Sequence, residues 1–251
     1  MPEASRRRTV ANSRSAPFPA VGPASPRVRA GHPMVRIARH PPTCRYVGEN
    51  RWCSVIRVDT WTEPETEHVV FVTEEGVPTG ETGPKLASHH EHTRLHLAFS
   101  CYVLRRSDSA LLITRRADEK RVWPGVWTNS VCGHPAPGES LEDAVRRRAA
   151  YELGVTDLQD LGCVLPAYRY RTPPFQGIVE NEFCPVFAAW TDAEPAPNPA
   201  EVGDWRWIAW SDYTALLNDE SANVSYWAKD QFSQLKGLSP FLELEDRHFT
   251  A

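Results

Sequence analysis

No run of about 18 apolar residues occurs in the 251-residue chain, so no transmembrane helix is expected. No Cys-x-x-Cys pair occurs either. The six cysteines (Cys44, Cys53, Cys101, Cys132, Cys163 and Cys184) are scattered. That spacing fits reduced thiols in a cytoplasmic protein and argues against a disulfide framework. Basic residues are not in excess. The formal net charge is -4, so overall charge does not invite nucleic acid. Acids are nearly missing from residues 1–60, where Glu3, Glu49 and Asp59 stand among many arginines. That segment also lacks the apolar central stretch of a secretory signal. No internal repeat is visible.

What is present fits a soluble globule, with 41% hydrophobic and 24% charged residues. The length allows one large domain or two small ones. Residues 1–60 are set apart by Arg, Pro, Ala and Ser, and no hydrophobic period survives their prolines. They read as a disordered extension. Such a leader is an organellar transit peptide, a tail with no folding role, or an over-extended start with Met34 as a later candidate. The folded domain is expected over residues 67–245.

Within it, residues 68–72 form a short apolar strand and 74–80 a turn. Residues 81–95 are polar and carry His89, His90 and His92. Residues 96–104 and 110–114 form a hairpin about a turn at 105–109. Residues 128–139 read as a loop. The clearest helix is 140–153, with Ser140 and Asp143 in a capping-box pattern and Gly154 as its stop. Strands follow at 167–171, 177–190 and 202–210, and helices from Ser211 onward. Strands and helices mix without strict alternation, so the fold class is α+β, a mixed β-sheet flanked by helices.

The stretch that carries chemistry is Trp127-Thr-Asn-Ser-Val-Cys-Gly-His-Pro135. Prolines and glycines on both sides mark it as a loop. Cys132 and His134 are therefore expected on a loop running into a helix N-terminus, a common anion site. On the helix, Arg148 and Glu152 are four apart and can pair. Either they form a surface salt bridge, or Glu152 is aimed at a cation. Glu180 and Glu182, two apart on a strand, face one side. Either that side is solvated, or a cation relieves their repulsion.

Gly133, Glu139, Arg147 and Glu152-Leu-Gly154-Val155 resemble the Nudix box, G-x5-E-x7-R-E-U-x-E-E-x-G-U, where U is a bulky aliphatic. In that family the helix carboxylates hold magnesium against a diphosphate. Here Arg148 and Tyr151 replace two of the glutamates, and Glu152 remains. One carboxylate suits a single magnesium better than it suits hydrolysis. Longer motifs are more specific. Trp123-Pro-Gly-Val-Trp127, Thr128-Asn-Ser-Val-Cys-Gly-His-Pro135, Val179-Glu-Asn-Glu-Phe-Cys-Pro-Val186, Thr93-Arg-Leu-His-Leu-Ala-Phe99 and Thr114-Arg-Arg116 resemble type I isopentenyl-diphosphate isomerase. The similarity runs from about Glu67 to at least Trp227. It implies a Nudix-like fold and interconversion of isopentenyl and dimethylallyl diphosphate by protonation and deprotonation of the alkene.

The resemblance gives Cys132 and Glu182 the two proton transfers. It gives His89, His96, His134, Glu180 and Glu182 a metal, and such a mixed donor set suits Mn2+ or Zn2+. A one-residue shift would exchange His89 for His90, but the spacing of His89 and His96 matches the family. Glu152 and the Cys132 backbone carbonyl would hold Mg2+ on the diphosphate. Lys85, Arg116, Lys120 and Arg148 would contact that diphosphate. Tyr170 matches a tyrosine beside the proton-transfer glutamate. Trp227 matches a tryptophan over the hydrocarbon, where a carbocation gains about 2 kcal/mol when desolvated. The other cysteines are structural. The implied partner is a small prenyl diphosphate, with no nucleic acid and no membrane, in a cytoplasmic monomer or homodimer. Two other readings are a Nudix hydrolase, disfavoured by Arg148 and Tyr151, and a non-catalytic Nudix-like module, disfavoured by Cys132 and Glu182.

Overall fold

The computed structural model describes residues 67–241. The expected extension over 1–60, with Met34, Cys44 and Cys53, lies outside them, as do residues 242–245. The described elements run β1 (His68–Val72), β2 (Pro78–Pro84), α1 (Lys85–Ser88), β3 (His96–Leu97), β4 (Phe99–Arg105), β5 (Leu111–Arg116), β6 (Trp127–Thr128) and β7 (Val131–Gly133). They continue α2 (Leu141–Leu153), β8 (Gln159–Leu165), β9 (Arg169–Arg171), β10 (Asn181–Phe183), β11 (Val186–Thr191), β12 (Val202–Ile208), α3 (Trp210–Asn218) and α4 (Tyr226–Leu235). No helix among the described residues is long and apolar enough to cross a membrane.

Two sheets result. One has the order β2-β1-β3-β10-β9. The other has the order β12-β5-β4-β11-β8, with β6 on β5 and β7 on β4. β3 and β4 are one run of chain broken at Ala98. β10 and β11 are another, broken at Cys184 and Pro185, where proline cannot donate to a ladder. Both runs pass from the first sheet to the second, side by side and parallel. Glu182 stands opposite His96 in one sheet, and Val186 opposite Ser100 in the next. Ala98 N–H donates to the Phe183 carbonyl at 2.9 Å and Ser100 N–H to the Pro185 carbonyl at 3.2 Å, so pairing bridges both breaks.

β4 is buried on both faces, and its side chains alternate between two cores. Tyr102 and Leu104 pack with Trp210, Tyr213 and Leu217 of α3 and Trp227, Ala228 and Leu235 of α4. Phe99, Cys101 and Val103 pack with Ala144, Val145, Ala149 and Leu153 of α2. The helices thus cover both faces of the larger sheet, as the α+β expectation requires. α2 starts where Ser140 Oγ accepts from Asp143 N–H at 3.1 Å. It stops at Gly154, whose φ of 68° is left-handed. A Cβ there would lie 2.7 Å from the Ala196 carbonyl oxygen.

Several elements differ from the sequence expectation. The turn at 74–80 and the polar stretch after it contain β2 and α1. β2 is Pro-Thr-Gly-Glu-Thr-Gly-Pro, an exposed edge strand that needs no apolar face. The loop expected at 128–139 contains β7, so Cys132 lies on a strand, and the helix begins only at Leu141. The single strand expected over 177–190 is two. β8, a half-exposed strand at a sheet edge, carried no readable alternation.

Candidate active site

Register brings the site together. In the first sheet His96, Glu182 and Tyr170 lie opposite one another on β3, β10 and β9. In the second, Cys132 on β7 lies opposite Ser100 on β4. His134 follows β7 directly, and His89 follows α1. Gly133 between Cys132 and His134 has no room for a side chain. A Cβ would lie 2.9 Å from Arg148 Cγ and 3.2 Å from Phe99 Cζ, so β7 packs directly on α2.

One ligand atom each from His89, His96, His134 and Glu182 falls within a span of 4.8 Å. His134 Nε2 is 3.2 Å from His96 Nε2 and 3.2 Å from Glu182 Oε1. Glu180 joins from one residue before β10, its Oε2 3.3 Å from His89 Nε2. The outward nitrogens of His89 and His96 are spoken for. His89 Nδ1 meets the Lys85 carbonyl at 2.6 Å, and His96 Nδ1 meets the Arg94 carbonyl at 2.9 Å. A backbone carbonyl on the outer nitrogen fixes the tautomer that turns a lone pair inward, as metal-bound histidines require. Burial lowers His134 to about 4, which outweighs Glu182 beside it and keeps the ring neutral. His134 Nδ1 is buried with no hydrogen-bond partner among the described residues. These residues fit a divalent metal with nitrogen and oxygen donors. His90 and His92 instead sit on the surface, edge to face with each other.

A cavity of about 620 Å³ opens beside this cluster. Every candidate residue from the sequence lines it except His96, which is fully buried behind it. Cys132 donates to Asn129 Oδ1 at 3.2 Å and lies 3.4 Å from Ser100 Oγ. Burial raises its thiol to about 12, although those two partners pull the other way. Burial also opposes ionisation of Glu182, but His134 and His96 outweigh it and hold the carboxyl well below the usual range. Tyr170 donates to Glu182 Oε2 at 2.8 Å. Trp227 comes from α4, its indole N–H donating to Asn129 Oδ1 at 3.2 Å. The α4 cap residue Ser225 bonds Thr128 at 3.0 Å, which seats the helix on β6.

A cationic region adjoins. Arg148, almost fully buried, shares its guanidinium among Glu67 at 2.7 Å, Glu152 at 2.7 Å and Glu201 at 3.5 Å, and lies over the Tyr151 ring. Lys85 pairs with Glu67, and Lys120 with Glu201. Arg116 donates to the carbonyls of Val122 at 2.9 Å and Trp123 at 3.1 Å, holding the loop that carries Lys120. The Arg148–Glu152 pair is therefore buried and inward, not a surface bridge.

The comparisons agree with one another. Residues 94–228 match the NUDIX domain. A Saccharopolyspora erythraea protein named isopentenyl-diphosphate Delta-isomerase is 50% identical over 172 residues, 68% of this chain and 87% of that one. The chain belongs to this isomerase family. A Paenarthrobacter aurescens relative of the same name is 51% identical over 170 residues, 68% of this chain and 91% of its own. One from Escherichia coli K12 is 47% identical over 184 residues, 72% of this chain and 100% of its own. Among solved structures, a Deinococcus radiodurans protein at 24% identity covers 65% of this chain and 96% of its own with a TM-score of 0.50, which supports the fold. For this isomerase family member, sequence reasoning missed four residues around the site. Glu67 and Glu201 anchor its lysines, and Ser100 and Asn129 contact its thiol. Asn129 lay inside the motif already singled out. Glu201, just after the Pro- and Ala-rich stretch at 193–200, gave no signal.

Proposed function

We propose that Cys132 and Glu182 carry the two proton transfers by which this chain interconverts isopentenyl diphosphate and dimethylallyl diphosphate. The interconversion, a step of isoprenoid precursor supply, follows from the isomerase relatives at about 50% identity. The observation that best supports the assignment of roles is that a protonated thiol and an ionised carboxylate open onto one cavity with the Trp227 indole.

The reaction moves a carbon–carbon double bond. One proton adds to an unactivated alkene, a tertiary carbocation-like species forms, and a different proton leaves. This requires a donor, an acceptor, a polarisable wall and exclusion of water. Cys132 keeps its proton until it is needed, because burial disfavours the thiolate. Glu182 is oriented by the Tyr170 hydroxyl as acceptor, and Tyr170 itself is buried and stays protonated. The Trp227 ring gives the cation a π face, and its bond to Asn129 fixes the ring's tilt. Lys85, Lys120, Arg116 and Arg148 form the diphosphate end. Arg148 also fixes Glu152, and Glu67 and Glu201 hold the two lysines.

His89, His96, His134, Glu180 and Glu182 would hold Mn2+ or Zn2+. Glu152 with the Cys132 carbonyl would hold Mg2+ on the diphosphate. When bound, these ions supply the positive charge that neutralises the diphosphate and stiffens Glu182. The isomerase domain is taken as residues 67–245, acting in the cytoplasm. The test is proton NMR of isopentenyl diphosphate with enzyme, Mg2+ and Mn2+ in heavy water. Dimethylallyl diphosphate carrying deuterium is expected. Intact substrate under these conditions would refute the reading.

A further inference from the structure

Two aromatic residues that do not line the cavity tie three of its apolar walls together. Val122, Ile178 and Trp227 line it. Trp123, next to Val122, stacks on Phe175 with ring centroids 4.9 Å apart and meets Trp227 edge to face at 6.3 Å. Phe175 in turn exchanges both backbone hydrogen bonds with Ile178, at 2.8 and 2.9 Å. The stack therefore joins the loop between β5 and β6 to the loop between β9 and β10, one layer out from the cavity surface. Both sides of it are stiff. Phe175 faces Ile178 across Gln176 and Gly177, whose φ angles of 49° and 78° suit the tightest hairpin turn. Trp123 has a φ of 54°, an outlier for a bulky residue that persists only where its surroundings hold it. What holds it is Arg116, which donates to the carbonyls of Val122 at 2.9 Å and Trp123 at 3.1 Å and lies over the Trp227 ring at 5.8 Å. Trp123 Nε1 is buried with no hydrogen-bond partner among the described residues, so ring contacts, not its polar end, keep the indole in place.

We infer that Trp123 and Phe175 determine specificity: their stacked rings back the apolar end of the cavity and set the size of the branch that a substrate can carry. This rests on the isomerase reading. The chemistry itself does not demand a small branch. An alkene with ethyl in place of the branch methyl gives a tertiary cation on protonation, just as isopentenyl diphosphate does, and its diphosphate end is the same. Only shape separates the two. One methylene in an apolar pocket is worth about 10- to 200-fold in discrimination, provided that the wall does not yield. Ile178 and Trp227 would each give way if nothing stood behind them. Phe175 anchors the first and Trp123 the second, so the limit is set by rings that the substrate does not touch.

The probes are isopentenyl diphosphate, its homologue with ethyl in place of the branch methyl, and the saturated counterpart of each. The two alkenes report kcat/KM. The saturated diphosphates report binding by calorimetry to the metal-loaded enzyme, with no turnover needed. Wild type should prefer the smaller compound of each pair by about tenfold or more. Phe175→Ala removes a half-buried ring without touching the cavity surface, so it should fold. Both ratios should shift toward the larger compound by about tenfold. Trp123→Phe keeps a ring to stack on Phe175 but withdraws the indole edge from Trp227, and should shift them in the same direction. Phe175→Tyr, which keeps the ring, should leave both ratios at the wild-type value. A merely structural role would lower both compounds of a pair alike. A wild type indifferent to the added methylene, unchanged ratios in folded Phe175→Ala, or equal losses on both compounds would overturn the inference. Should Phe175→Ala fail to fold, Trp123→Phe decides in the same terms. Turnover of neither alkene, with the binding ratio still shifted, would refute the isomerase reading and leave the wall standing.

Discussion

In Arg148→Ala, three carboxylates lose the guanidinium that they share. Glu67 and Glu201 keep Lys85 and Lys120, but Glu152 is left buried without a cation bonded to it. Breaking a buried ion network by removing one partner costs about 3–5 kcal/mol. In a domain of this size each kcal/mol lowers Tm by about 2–4 °C, so the variant should melt roughly 6–20 °C below wild type at pH 7. The pH dependence has a definite sign. Burial alone would raise the Glu67 carboxyl, yet Lys85 and Arg148 hold it at about 2 against an ordinary 4.5. A carboxyl depressed in the folded state stabilises the fold above its unfolded value. That contribution fades as pH falls toward the folded value. Wild type therefore loses stability between pH 4.5 and 2 that the variant has partly lost already. The gap between their melting curves should narrow as pH drops from 7 toward 3. Circular dichroism melts at both ends of that range test this. A variant melting within about 2 °C of wild type at pH 7, or a gap that does not narrow, would show that the network contributes little.

Cys132→Ala and Glu182→Gln should each lose about 100- to 10,000-fold in kcat while remaining folded, the usual range for a positioned acid or base. Activity within about tenfold of wild type in either variant removes that residue from its role. His96→Ala deletes the fully buried proposed ligand behind the cavity, so it should purify with less manganese or zinc by elemental analysis. Metal at about a hundredfold over its Kd should stabilise wild type by about 2.7 kcal/mol and the variant by much less. Equal metal content and equal Tm gain would remove His96 from the site.

What was readable in the sequence was what needs only local chemistry. Ser140 and Gly154 bound α2 by capping, and β1 announced itself by its apolar run. The proposed ligands His89, His96, His134, Glu180 and Glu182 were legible because their spacing matched a family. Their convergence on one point was not, since it depends on β3 and β10 pairing in parallel across more than eighty residues. β2 escaped notice because an edge strand needs no apolar face, and β7 because three residues between glycine- and proline-rich flanks look like loop. Glu67 and Glu201 were invisible as functional residues for a related reason. Each takes its meaning from a lysine on a different segment, and nothing in their own neighbours marks them.

α4 is held to the rest by the core packing of Trp227, Ala228 and Leu235 and by a row of polar contacts: Ser225 on Thr128, Trp227 on Asn129, Asp230 on Tyr168, and Gln231 on both Ser100 and Tyr102. Its ten residues are the last regular element described. If this helix lifted away, the pocket would lose its indole wall, and Gln231 would leave its buried partners Ser100 and Tyr102. The docking of α4 therefore sets the indole wall of the pocket.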